Sequence, residues 1–463
     1  MLLRLCSWIA PLTFAACVTT SPVQHPTPTV SSASPKTNLT DQIPRWWEAF
    51  EDTSLNKIVE AVIYANPDLH IAAARLEQAK AQALLAKAPL QPTLGVSGTA
   101  SRRKQSFIGF PFSGNDEDSP PNTTTDSYGI NMSANWEVDV WGKLRTSARA
   151  ALADAQAVEA DYLGACLSLT AQATNVYHSI VEARNQVKLA KAALTSYETA
   201  SDRIRQRYDR GLSPSLDLRL ARSNSATAVA NLSRNQQTLY QVERQLTLLL
   251  GEYAKQPKFT VSISLPTQIL PIPPNLSADL ISRRPDLSAA ERRLIAAENR
   301  GKQAELERLP KFSLTASNGS QSTDFTKLLN GNFSVWNLVG NLTQPIFQGG
   351  RITANLSKAY AEIDIAQANY AKIALQAYVE IDQAINDELR FKEQAEALIS
   401  ASTEASDAQV LAEDRYLRGL SDLTTLLDAQ RRAYNAESQL LSVKRQRINA
   451  RIKLILALGG DFH

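Results

Sequence analysis

The chain has 463 residues, of which only 18 are Gly, about half the ~7% of average usage. Of its 21 Pro, five fall in the first 35 residues, six between residues 257 and 285, and none after Pro345. Because Pro costs ~3 kcal/mol inside a helix, this describes long helices between short punctuated regions and disfavours an enzyme of alternating strands and helices. Lys plus Arg (49) barely exceed Asp plus Glu (46), no basic block recurs, and the three Cys have no metal-ligand or disulfide spacing, which argues against a nucleic-acid partner, a cofactor metal or a disulfide scaffold.

Residues 1–16 read as a signal peptide: Arg4, an apolar core over residues 5–14, then Ala15 and Ala16 before Cys17, too short for a membrane span. The Ala-Ala-Cys ending resembles a bacterial lipoprotein signal, in which the Cys17 thiol receives a diacylglycerol and becomes the new N-terminus. Ordinary secretion with a free Cys17 is the alternative. Val18 is not the Asp that resembles an inner-membrane retention signal, so sorting to the outer membrane is implied. From Cys17 to residue 43 the chain is rich in Ser, Thr and Pro and reads as a flexible tether.

The body, residues 44–251 and 284–463, is a duplication. Asn66-Pro67-Asp68-Leu69 recurs as Arg284-Pro285-Asp286-Leu287, and Pro92 as Pro310, at an offset of 218. Gly142-Lys143 recurs as Gly350-Arg351, Gly211-Leu212 as Gly419-Leu420, and Leu250-Gly251 as Leu458-Gly459, at an offset of 208. The offset changes once, within a loop, and residues 252–283 join the copies.

Each half predicts the same elements. A helix of about twenty residues follows Asp68 or Asp286, whose charge suits a helix N-terminus. Next comes a hairpin of strands, over residues 93–139 in the first copy and 311–346 in the second. Tyr128, Ile130, Met132, Ala134, Trp136 and Val138 alternate strictly with Gly129, Asn131, Ser133, Asn135, Glu137 and Asp139, so one face is apolar and the other hydrophilic. Trp336, Leu338, Leu342 and Ile346 repeat the pattern less strictly, and the partner strands carry Leu94, Val96 and Ala100, or Phe312, Leu314 and Ala316.

From residue 142 to 211, and from 350 to 419, each half continues as a helix about 100 Å long. A return helix of about 38 residues follows, with Leu423, Leu427, Tyr434, Leu441, Ile448, Ile452 and Ile455 near heptad spacing, as in an antiparallel coiled coil. Cys166 reads as a small buried residue.

Four strands with one apolar face cannot close a barrel alone, and an open sheet edge is not tolerated in lipid. Three copies would supply twelve strands, enough to enclose a polar lumen, with Tyr128, Trp136 and Trp336 suited to an aromatic girdle. The same alternation also fits a soluble half-buried sheet packed on helices.

Several stretches carry a family resemblance: PRWWEAFEDTSLNKIVEAVIYANPDLHIAAARLEQA, WEVDVWGKLR, PIFQGGR and RYLRGLSDLTTLLDAQ. Together they resemble the TolC-like outer membrane factors, in the lipoprotein branch typified by OprM and NodT. The resemblance covers essentially the whole mature chain. It implies a mainly α fold with a transmembrane β-barrel, assembled as a homotrimeric channel-tunnel with an equatorial belt. It also implies an exit duct in the outer membrane lipid, joined through a periplasmic adaptor to an inner-membrane transporter of the resistance-nodulation-division type.

By that resemblance the turns Arg210-Gly211-Leu212 and Arg418-Gly419-Leu420 meet the adaptor tip to tip, while Gly there also serves a tight turn. Asp422 lies at or one residue past the position of an acidic ring at the closed aperture, Tyr416 resembles a constriction tyrosine, and Asp428 matches another carboxylate position. Asp422 equally suits the cap of the return helix. A ring of three carboxylates would repel one another and be relieved by widening. Pro214 stands opposite Asp422 in the first repeat, and Thr425 occupies the family's other aspartate position.

No nucleophile, metal or phosphate-binding motif accompanies the four His, and no enzyme is expected. An efflux duct is expected ahead of a type I protein-secretion duct, because the acyl-Cys motif and the second tip resemble the efflux branch. A purely structural coiled-coil lipoprotein is a third class.

Overall fold

The computed structural model describes residues 44–107, 122–252, 261–262, 264–266 and 283–460. Cys17, the signal peptide, the tether and most of the inter-repeat segment lie outside the described residues.

A short 3-10 turn, Trp46–Phe50, leads into helix α1, Thr53–Ala65, which the sequence reading above does not separate from its surroundings. Asp52 caps α1 by accepting from the amides of Ser54 and Leu55, and the helix buries Leu55, Ile58, Val59 and Val62 at the i, i+3, i+4, i+7 spacing of an amphipathic face. Helix α2, Pro67–Lys87, begins on Pro67 itself, ahead of the expected start after Asp68, with Asn66 accepting from the amides of Asp68 and Leu69.

Strands β1, Thr93–Ser106, and β2, Asn122–Val138, form the first hairpin; β3, Lys311–Ser322, and β4, Ser334–Thr343, form the second. All four join one antiparallel sheet in the order β1-β2-β3-β4. The last strand stops at Thr343, short of the expected residue 346, because Pro345 has no N–H to donate to a ladder.

Helices α3, Lys143–Asp209, and α6, Arg351–Leu417, have 67 residues each; their returns, α4, Ser215–Leu249, and α7, Leu423–Ala457, have 35 each. Helix α5, Pro285–Leu306, repeats α2. The returns are shorter than expected because each long helix ends in a capped turn. Gly211 and Gly419 adopt φ of 72° and 75°, and the amides of Leu212 and Leu420 reach back to the carbonyls of Arg207 and Arg415, both at 2.8 Å.

The two copies reuse one joint. Asn66 donates Nδ2 to the carbonyl of Leu249, at the end of α4, and Arg284 donates Nη1 to that of Ala457, at the end of α7. Each starting residue thereby holds the last turn of its own repeat's return helix.

The main core lies where α1, α2, α3, α4 and α7 converge, around Trp47, Ile58, Tyr162, Tyr177, Leu246 and Ile452. A second cluster of Ile204, Leu218, Leu423 and Leu426 packs the far ends of the helices. The sheet contributes to neither, and every residue of β1 is exposed.

Candidate functional site

The register lines up apolar residues of the four strands on one face, with Asn318, Ser320 and Ser322 as polar interruptions on β3. Val96 pairs with Met132, Met132 with Asn318 and Asn318 with Trp336; Leu94 pairs with Ala134, Ala134 with Ala316 and Ala316 with Leu338. Trp136 pairs with Leu314, and Val138 with Phe312, which pairs with Leu342. Leu94, Val96, Met132, Trp336 and Leu338 are all more than half exposed in the single chain, which leaves a broad apolar sheet face without a covering layer.

The opposite face is polar and internally bonded. Thr315 donates to Asn135 Oδ1 at 3.1 Å, and Gln321 donates to Ser127 Oγ at 3.0 Å. Ser133, Asn131, Ser317, Asn337 and Asn341 share this face, with Val335 and Val339 as apolar interruptions. Strands β1 and β4 each leave one edge unpaired among the described residues.

At the strand-to-helix junction, Asp139 accepts from the amides of Leu144 and Arg145, both at 2.9 Å, and from Arg145 Nε at 3.1 Å. Burial pushes its pKa up, but these donors outweigh that and hold the carboxyl below its ordinary value.

At the opposite end Arg210, Gly211, Leu212, Arg418, Gly419 and Leu420 are exposed, and Arg418 pairs with Asp414 at 2.9 Å. Asp422 caps α7, accepting from the Thr425 amide at 2.8 Å, and the Thr425 hydroxyl and then this amide lower its pKa. Asp428 is held by Arg431 at 2.5 Å and Arg432 at 2.7 Å, and both cations lower its pKa. Tyr416 is half-buried between the two hairpins, with the Arg207 guanidinium 5.7 Å from its ring centre. Within one chain, therefore, Tyr416 meets the first repeat while Asp422 and Asp428 bond within α7.

Contacts that the sequence reading missed tie the hairpins together above the tips. Arg203 pairs with Glu413 at 3.2 Å, Gln430 donates to Ser196 at 3.1 Å, Ser438 donates to Gln186 at 2.9 Å, and Arg445 pairs with Glu182 at 2.5 Å. Arg203 and Glu413 are 210 positions apart, so no local pattern announces the pair. Nearer the core, Tyr177 donates to Asp52 at 2.5 Å and accepts from the Ser262 amide at 3.0 Å, linking α1, α3 and the inter-repeat segment. Cys166 is buried and free, and burial pushes its thiol up to about 11.

Among the described residues no group of His, Cys, Asp and Glu could hold a metal, and no helix is long and apolar enough to cross a membrane. A sheet with one exposed apolar face and one polar face, carried at one end of two long helical hairpins, defines an outer-membrane channel protomer with a helical extension. The chain belongs to the outer membrane efflux protein family, matching it over residues 59–252 and 276–460, which are essentially the two repeats.

It is 30% identical over 464 residues to the pyoverdine export outer membrane protein OpmQ of Pseudomonas putida, covering 99% of this chain and 97% of that one. It is 28% identical over 424 residues to the probable efflux pump outer membrane protein TtgC of Pseudomonas putida, covering 90% and 85%. The Campylobacter jejuni CmeC outer membrane channel superimposes with a TM-score of 0.83 at 26% identity, covering 90% of this chain and 88% of that one.

Proposed function

We propose that this chain is the outer-membrane exit duct of a tripartite efflux pump, a homotrimer that passively conducts small molecules from a periplasmic adaptor and an inner-membrane transporter of the resistance-nodulation-division type. The carrying observation is the two-faced sheet with both edges unpaired among the described residues. Unsatisfied edge amides and carbonyls are too costly in hydrocarbon, so the sheet must close on other copies. Three copies of a four-stranded sheet supply twelve strands, enough for an open polar lumen. Helix α6 supports the same assembly, since Tyr360, Leu375, Tyr378, Val379 and Leu389 are about half exposed or more in the single chain.

In this reading Cys17 carries the lipid foot, the tips Arg210-Gly211-Leu212 and Arg418-Gly419-Leu420 receive the adaptor, and Asp422, Asp428 and Tyr416 line the aperture. Asp422 is exposed, so its cap bond leaves the carboxylate negative and available to repel its copies. Drug accumulation in a deletion strain should rise and return to normal on complementation. Unchanged accumulation with lost export of a protein would instead assign the chain to secretion. Palmitate labelling that is equal in the wild type and in Cys17→Ser would remove the lipid.

A further inference from the structure

On β1 the alternation that brings Leu94, Val96 and Ala100 to the apolar face continues into Arg102 and Lys104. Their partners on β2 are Asp126 and Thr124, immediately beyond Tyr128. Along β2 the apolar stripe from Trp136 to Tyr128 covers about 27 Å of strand, or about 20 Å of depth at a ~40° tilt, close to the hydrocarbon band of an outer-membrane barrel. On β1 and β2, at the end of the sheet farthest from the helices, the apolar alternation therefore gives way to two cations on the same face, beside Tyr128, whose ring meets Phe325 edge-on at 5.6 Å.

Both cations are available. The Arg102 side chain is 77% exposed, and its Nε lies 3.5 Å from an Asp126 oxygen, a surface pairing that leaves most of the guanidinium's donors free. Lys104 is exposed and has no ion pair among the described residues.

We propose that Arg102 and Lys104 form a binding site, just beyond Tyr128 on the lipid side, for the phosphate of an anionic outer-leaflet lipid headgroup. The site rests on the barrel reading given above. Its two cations stand two residues apart on one strand face, about 7 Å, a span that one phosphorylated headgroup bridges. Arg supplies a planar fork for phosphate oxygens and Lys a mobile point charge. Such cations are costly at the bilayer midplane and tolerated near the interface, where the phosphates lie. Arg103, one residue out of phase, falls on the lumenal face and takes no part.

The test titrates fluorescent bis-phosphorylated lipid A into nanodiscs that carry the full-length protein in zwitterionic lipid. R102Q/K104Q should weaken binding about tenfold or more, at roughly 1 kcal/mol per cation near a charged surface, with planar-bilayer conductance unchanged. Asp126→Asn should tighten binding, because Arg102 loses its competing carboxylate. Wild-type affinity in R102Q/K104Q, equal binding of dephosphorylated lipid A, or full displacement by inorganic pyrophosphate would overturn the lipid site. A wild-type protein that runs as a monomer on unheated and heated gels alike would remove the barrel reading and the site with it.

Discussion

Arg451 on α7 grips Glu388 on α6 with both side chains buried, at 4% and 5% exposure, and Nε lies 2.6 Å from Oε2. Nη2 donates to the other carboxylate oxygen, so the pair is a two-pronged clasp across the coiled coil. Removing one partner strands a buried charge, and Glu388→Ala or Arg451→Ala should each cost about 3 to 5 kcal/mol. Replacing both with Met should recover most of that loss, because the cost lies in the unpaired charge rather than in the missing attraction. Thermal unfolding of the four proteins checks the sign of the coupling.

His178 is buried beside Phe50 and Tyr177, with Nδ1 donating to the Thr174 carbonyl at 2.8 Å, and burial lowers its pKa to about 4. An unfolded His titrates near 6.5, so the folded chain refuses a proton that the unfolded chain accepts. The stability tied to this group is fully present above pH 6.5 and is lost as pH falls toward 4, reaching about 3 kcal/mol. Unfolding followed from pH 7 to pH 4 should show this slope in the wild type and a shallower one in His178→Gln.

Gly319 on β3 pairs with Asn131 on β2. A Cβ there would meet the Ile130 carbonyl oxygen at 2.2 Å and Asn131 Cα at 2.9 Å, both backbone atoms that cannot swing aside. Gly319→Ala should force the strands apart, at a cost of about 1 to 3 kcal/mol. A lower temperature for losing the assembled species on unheated and heated gels is the expected readout. Gly340, with open space around it, tolerates the same change.

Asp422 combines a helix cap with a charge near the tip. Asp422→Ser keeps an acceptor for the Thr425 amide and removes the charge, whereas Asp422→Ala removes both. Under the aperture reading, both variants raise single-channel conductance. A rise in Asp422→Ala alone would assign the effect to the cap.

The duplication was the most legible feature, because it is written in punctuation. Gly142 and Gly350, Gly211 and Gly419, and Gly251 and Gly459 all adopt positive φ, and each pair opens or closes corresponding helices. The face of β2 was equally readable from strict alternation. What escaped was contact at long separation, such as Arg451 with Glu388 and Arg203 with Glu413, since the relative rotation of packed helices is set by side chains far along the chain. Helix α1 escaped for another reason: it follows a 3-10 turn that buries Trp46 and Trp47, and its cap, Asp52, also serves Tyr177. The aperture proposed for Asp422, Asp428 and Tyr416 rests on resemblance and not on pattern, because an opening bounded by several chains would leave no signature within one.

The indole of Trp46 donates to Thr170 at 3.2 Å, which moors the start of the described chain partway down α3. Thr170 lies about 40 Å along the helix from Lys143, at 1.5 Å per residue. Trp46 also belongs to the main core, beside Trp47 and Ile58. A pull on the start of the described chain therefore loads the packed helices first, and the strands, which share nothing with that core, are spared it.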